Sequence, residues 1–151
     1  MMRVKICGIT NLDDALGACD AGADALGFVF AEEAKARQRF IDPEAAQGII
    51  EKLPPFVTTV AVTVNDSLER LRDYLTFLDQ VQLCGEEPEE LCAELGDKAI
   101  KALHANIDFD PAKELPRREA VYLLDAFLPG SHGGTGTTCN WRGAARAVEL
   151  G

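Results

Sequence analysis

The sequence lacks the long apolar runs and the paired cysteines that mark membrane-spanning and disulfide-stabilised proteins. No stretch approaches the roughly 18–20 apolar residues of a membrane helix, and the first ten residues lack the apolar run of a secretory signal. The cysteine count is odd and no Cys-x-x-Cys pair occurs, which argues against a disulfide framework and a structural zinc site. We therefore expect the reducing cytoplasm, no membrane partner, no metal, and thiols at Cys7, Cys19, Cys84, Cys92 and Cys139.

Positive charge is scarce as well. The chain of 151 residues has 15 Lys and Arg against 25 Asp and Glu, which gives a net charge of −10. This balance argues against a nucleic-acid partner, because such binding depends on basic patches that neutralise phosphates. An anionic small-molecule substrate would need a locally positive site. Apolar residues, 47% of the total, are spread along the whole length, so we expect a single domain over 1–151.

Short β-rich runs alternate with helical patterns six times, which places the chain in the α/β class. Regular βα alternation predicts a parallel sheet covered by helices. Both an open doubly wound sheet and a closed (βα)8 barrel fit this pattern. The predicted strands are 4–9, 25–30, 58–64, 80–83, 99–103 and 120–125. The predicted helices are 12–21, 43–53, 67–76, 88–95, 111–115 and about 141–150, with Asn11, Asp42 and Ser67 as N-caps, Pro43 at a first turn and Gly22 as a stop.

Two predicted strands end in groups that suit acid–base chemistry. Ligands of parallel α/β folds gather at the carboxyl ends of the strands. Strand one ends with Lys5 and Cys7 on one face, and a nearby ammonium favours the reactive thiolate. Gly8 follows and lets another group approach closely. Strand six ends at Asp125, where partial burial favours the protonated form of a general acid. The alternatives are an inert buried cysteine and a loop-capping aspartate.

Further polar groups lie at the other strand ends and in two loops. His104 follows strand five, where a structural histidine is the commoner outcome. Residues 131–137 form a Gly-rich loop whose N–H groups could hold a phosphate, although it is neither a Walker loop nor a G-x-G-x-x-G motif. The alternative is a simple mobile loop.

The remaining candidates are Asn65 after strand three, Gln82 and Cys84 at strand four, and Arg37 and Arg39 after strand two. For the two arginines, the alternative is a pair of solvated surface side chains.

Taken together, these segments resemble the phosphoribosylanthranilate isomerase family of tryptophan biosynthesis. The resemblance runs in order along the whole chain, and its first motif is the most specific. It implies a TIM-type (βα)8 barrel, an Amadori rearrangement of a phosphosugar substrate, and no cofactor. The segments that carry it are 5–10 (KICGIT), Asp13 with Ala15, 22–30 (GADALGFVF), 81–83 (VQL), 124–125 (LD) and 133–136 (GGTG).

The resemblance also assigns roles to individual residues. It implies that Asp125 is the general acid that protonates the furanose ring oxygen and that Cys7, as thiolate, removes the C2′ proton. Arg39 matches the arginine that faces the anthranilate carboxylate. The expected substrate-binding set is Arg39, Gln82, Lys5, Gly133, Gly134 and Gly136.

The sequence departs from the family pattern at supporting positions and in length. Cys84 stands where His is usual and Thr137 where Lys is usual, which removes a proton-sharing group and a cation. The family has eight βα units and this chain has six, so an incomplete barrel is expected. Units seven and eight would carry phosphate-binding loops. We expect weak activity of the 151 residues alone, or an inactive scaffold whose open edges pair as a homo-oligomer or with a complementing chain. Another phosphosugar isomerase of the same barrel type is a further alternative.

Overall fold

The computed structural model describes residues 2–106, 108–115, 121–126 and 138–150, and it confirms the alternation of strands and helices. The strands are β1 (Lys5–Cys7), β2 (Ala25–Val29), β3 (Thr58–Thr63), β4 (Gln80–Leu83), β5 (Ala99–His104) and β6 (Val121–Asp125). The α-helices are α1 (Leu12–Asp20), α2 (Pro43–Ile50), α3 (Leu68–Tyr74), α4 (Glu89–Leu95), α5 (Pro111–Glu114) and α6 (Trp141–Leu150). Two 3₁₀ turns cover Glu32–Arg37 and Gly96–Lys98.

The strands are hydrogen-bonded in chain order from β1 to β6. Pairs β1/β2, β2/β3 and β5/β6 run parallel in continuous register. Each crossover contains a helix, as parallel neighbours require. The chain divides into two compact units, 1–82 and 83–151, and each is described on its own.

The first unit buries apolar residues on both faces of its central strands. Val29 faces one side of β2 and is buried, while Leu26 and Phe28 face the other side and are fully buried. Val60 of β3 and Leu71 of α3 are buried to the same degree. Because both faces are covered, the strands are nearly continuous apolar runs without polar alternation.

The second unit holds a largely buried ion pair between β5 and the turn that follows β4. The Lys101 ammonium donates to the Glu87 carboxylate at 2.7 Å and to the Gly85 carbonyl at 2.6 Å. The Glu87 side chain is 1% exposed and also accepts from the Gly85 N–H at 3.0 Å. Since both charges have hydrogen-bond partners, this pair fixes the turn that follows β4.

The predicted caps are confirmed except for Asp42. Asn11 accepts from the Asp14 N–H and Ser67 from the Arg70 N–H, as N-caps do. Asp42 occupies the N-cap position of α2, but its side chain makes no capping bond. The start of α2 is set instead by Pro43, whose ring fixes φ, and by the main-chain bond from the Ala46 N–H to the Asp42 carbonyl.

The predicted bounds differ from the observed ones by a few residues at most. Helix α2 ends at Ile50, three residues earlier than predicted, and β1 is shorter at both ends. Element ends are where local sequence patterns are weakest, because fraying and 3₁₀ turns compete there. No helix within the described ranges is long and apolar enough to cross a membrane.

Candidate active site

Lys5 and Cys7 converge over a glycine of the neighbouring strand. Cys7 pairs in register with Gly27 of β2. A methyl group placed on Gly27 would lie 2.8 Å from the Cys7 Sγ and 3.0 Å from the Lys5 Nζ. The thiol and the ammonium therefore lie within about 6 Å of each other. Cys7 is exposed, so a substrate can reach it.

Arg39 is held against the end of the same strand. Gly8 follows Cys7 with φ of +91°, a conformation that favours glycine. A methyl group there would meet the Cγ and Cδ atoms of Arg39 at 3.3 Å. The Arg39 segment is anchored by a bridge between Val29 and Phe40. Arg39 is exposed, and within the described part of the chain its guanidinium forms no ion pair, so it can receive an anionic substrate group.

Gln82 lies in β4 and is 6% exposed. The hydroxyl of Thr63, which is fully buried in β3, donates to the Gln82 carbonyl at 3.4 Å. Cys84 directly follows β4 and is buried. The Thr63 side chain therefore holds the end of β4 from the β3 side.

In the second unit, the ends of β5 and β6 bring Asp125 and His104 together. The two residues are in-register partners, and both are half-buried. The Asp125 Oδ1 accepts from the Ala126 N–H at 2.8 Å. The Asp125 carbonyl accepts from the Ala105 N–H at 2.8 Å, which locks the two strand ends to each other. A carboxyl group and an imidazole thus share one face of the sheet.

The residues of the predicted Gly-rich loop fall outside what the structure describes. Gly133, Gly134, Gly136 and Thr137 lie in the segment 127–137, so their proposed contact with phosphate stays a prediction. Among the described residues, no group of three His, Cys, Asp or Glu side chains is placed to hold a metal ion.

A second thiol shows what distinguishes Cys7. Burial, and then the charge of the neighbouring Asp20, raise the pKa of Cys19 in α1. Both effects disfavour its thiolate. Cys7 is exposed and lies beside an ammonium instead of a carboxylate, so the structure offers it and not Cys19 as the reactive thiol.

The sequence reasoning missed the role of Gly27. The signal was available, because a glycine inside an apolar strand often marks a close approach of another group. Here the absent side chain leaves the space that Lys5 and Cys7 use.

The fold and these strand-end groups define an α/β protein of the TIM-barrel class, with reactive side chains at the carboxyl ends of its strands. The family model for N-(5′-phosphoribosyl)anthranilate isomerase matches residues 4–149. The chain is 49% identical to the N-(5′-phosphoribosyl)anthranilate isomerase of Geobacter metallireducens, an alignment that covers 100% of this chain and 74% of that relative. The chain belongs to this isomerase family.

Solved structures agree with this assignment. The crystal structure of phosphoribosyl anthranilate isomerase from Thermotoga maritima matches with a TM-score of 0.85 and 43% identity, over 99% of this chain and 73% of that one. A second similar structure is that enzyme type in complex with reduced 1-(o-carboxyphenylamino)-1-deoxyribulose 5-phosphate. It matches with a TM-score of 0.76 and 47% identity, over 84% of this chain and 66% of that one. The predicted TIM-type fold class is confirmed.

Proposed function

We propose that this chain catalyses the Amadori rearrangement of N-(5-phosphoribosyl)anthranilate to 1-(o-carboxyphenylamino)-1-deoxyribulose 5-phosphate in tryptophan biosynthesis, with Cys7 as base and Asp125 as acid. The observation that carries these roles is the convergence of the Cys7 thiol and the Lys5 ammonium over Gly27. The half-buried Asp125 carboxyl at the end of β6 supplies the second group. The family assignment supports the reaction, and the roles of the residues rest on their geometry.

In the proposed sequence, Asp125 gives its proton to the furanose ring oxygen as the bond from that oxygen to C1′ breaks. The nitrogen lone pair forms a Schiff base with C1′. The Cys7 thiolate then takes the proton from C2′, and the bond electrons move to give an enolamine. The enolamine tautomerises to the ketone when its hydroxyl loses a proton and C1′ gains one. Cys7 then loses the proton that it took and Asp125 regains one, each by exchange with solvent, which completes the cycle.

Charged and polar groups of the first unit would hold the substrate. Arg39 presents an exposed guanidinium beside Gly8, which suits the carboxylate of the anthranilate ring. Lys5 adds a second cation near Cys7, although the chain as a whole carries a net charge of −10. We assign the phosphate to the N–H groups of Gly133, Gly134 and Gly136, and a polar contact to Gln82.

The test replaces Cys7 and Asp125 separately, as Cys7→Ala and Asp125→Asn. We expect kcat to fall by about 10²–10⁴-fold in each variant, the usual contribution of a positioned acid or base. The midpoint of thermal unfolding should change little for Cys7→Ala, because that side chain is exposed.

Cys19→Ala is the matched control, since it removes a thiol that the geometry does not place at the site. Its kcat should stay within about twofold of the unsubstituted protein. If Cys7→Ala or Asp125→Asn loses stability but keeps its kcat, the catalytic role proposed for that residue is wrong.

We place the protein in the cytoplasm, since all five cysteines are thiols, which fits a reducing compartment. We also keep self-association as a prediction, to be checked by measuring molecular mass against concentration.

A further inference from the structure

We propose that His104 is a positioning residue for Asp125, which holds the carboxyl group in one orientation and stabilises its charged form after it has given up its proton. The inference rests on the proposed role of Asp125 as general acid. It deepens that role by naming a neighbouring side chain that would act through it.

The register of β5 and β6 carries the argument. His104 and Asp125 are paired residues of parallel strands, so their Cα–Cβ bonds point to the same face of the sheet. Adjacent strands lie roughly 4.8 Å apart, so rotation about the side-chain bonds can bring the imidazole ring to the carboxylate. Both residues belong to the same compact unit.

The main chain fixes this juxtaposition. The Ala105 N–H donates to the Asp125 carbonyl at 2.8 Å, so the strands cannot slip by one residue without breaking that bond. The Asp125 Oδ1 accepts from the Ala126 N–H at 2.8 Å. This bond uses one of the two carboxylate oxygens and limits rotation of the group.

The chemistry explains what the imidazole adds. When Asp125 gives a proton to the substrate, a negative charge appears in a half-buried position. An imidazole N–H that donates to this carboxylate stabilises it, and hydrogen bonds to charged groups are the strong ones. Such bonds are often long in an empty site and shorten when substrate is bound. His104 keeps its own proton throughout, so the proton balance of the reaction is unchanged.

Kinetics provide the first test. We expect His104→Ala to lower kcat by at least about tenfold with KM within about threefold, because the residue acts on the acid and not on the substrate. His104→Gln keeps an N–H donor of similar length and should recover most of the lost kcat. Leu103→Val is the control, since it perturbs β5 on the opposite face. A kcat for His104→Ala equal to that of Leu103→Val would overturn the inference.

A measurement that needs no activity provides the second test. The chain has two histidines, His104 and His132, so ring-nitrogen NMR signals are few, and His104→Gln assigns them. Asp125→Asn should move the ring-nitrogen shifts of His104. Asp97→Asn removes the same charge at the other end of β5 and should leave the His104 ring-nitrogen shifts unchanged. Unmoved signals in Asp125→Asn would show that the two side chains do not interact.

The two proposals fail in distinguishable ways. If Asp125→Asn keeps its full kcat, the general-acid role is wrong, whatever the histidine signals do. If Asp125→Asn is inactive but His104→Ala is as active as the unsubstituted protein, the general acid stands and the positioning role is wrong.

Discussion

The strand pairs β1/β2 and β5/β6 differ in the residue that lies beside the candidate functional side chain at their carboxyl ends. Both pairs are parallel, and each ends with a reactive side chain next to an in-register partner. Beside Cys7 the partner is Gly27, which has no side chain, and beside Asp125 it is His104. One position makes room for a thiol and an ammonium, and the other adds a group that can contact a carboxyl.

This difference shows how one backbone arrangement supports two chemical environments. The proposed base, Cys7, is exposed, and the empty neighbouring position leaves room for it beside the Lys5 ammonium. The proposed acid, Asp125, is half-buried and has an imidazole-bearing residue as its in-register partner. The identity of the residue on the next strand decides which environment forms.

Filling the empty position is the substitution with the largest expected effect on this comparison. In Gly27→Ala the new methyl group would lie 2.8 Å from the Cys7 Sγ, so the thiol and the Lys5 ammonium must move. We expect kcat to fall by about 10²-fold or more, since a displacement near 1 Å can cost that much. Gly17→Ala is the control, because nothing lies within 4 Å of its added carbon. That change should raise stability by up to about 1 kcal/mol and leave kcat unchanged. Equal kcat in both variants would refute the proposed role of Gly27.

Arg39 and Arg37 test the substrate side of the same strand pair, with a smaller expected effect. Arg39→Gln should raise KM by about tenfold, the loss of roughly 1.4 kcal/mol of binding to an anion. The KM of Arg39→Lys should lie between those of the unsubstituted protein and Arg39→Gln, because an ammonium keeps the charge but not the planar geometry of the guanidinium. Arg37→Gln is the control, since Arg39 and not Arg37 packs against Gly8. Steady-state kinetics measure all three, and a larger KM effect from Arg37→Gln would contradict the assignment.

The sequence was sufficient to predict the order of the elements but not the contacts at the strand ends. The β-branched run of β3 and the caps Asn11 and Ser67 act locally, so their patterns could be recognised without the fold. The choice between two parallel α/β architectures came from a resemblance to a family, because periodicity does not encode barrel closure.

The site residues show where such reasoning stops. Period two places Lys5 and Cys7 on one face, but only the register with β2 reveals that Gly27 leaves room for both. Likewise, His104 and Asp125 are 21 positions apart, and only the pairing of β5 with β6 makes them neighbours. The residue pattern alone left Arg37 and Arg39 as equal candidates. The resemblance to the family selected Arg39, and the contact with Gly8 agrees with that choice.

The smallest expected effect concerns the two thiols of the first unit and can be measured without substrate. Alkylation by iodoacetamide proceeds through the thiolate. Burial and Asp20 raise the pKa of Cys19, so less thiolate is present at pH 8 and a higher pH is needed for fast reaction. Cys7 is exposed beside an ammonium. We expect Cys7 to react at least about fivefold faster than Cys19 at pH 8, with the ratio falling as the pH rises. Mass spectrometry of labelled peptides measures both rates. Lys5→Met should lower the ratio of the Cys7 rate to the Cys19 rate, because it removes the cation but retains an apolar side chain of similar length. An unchanged ratio would show that Lys5 does not activate the Cys7 thiol.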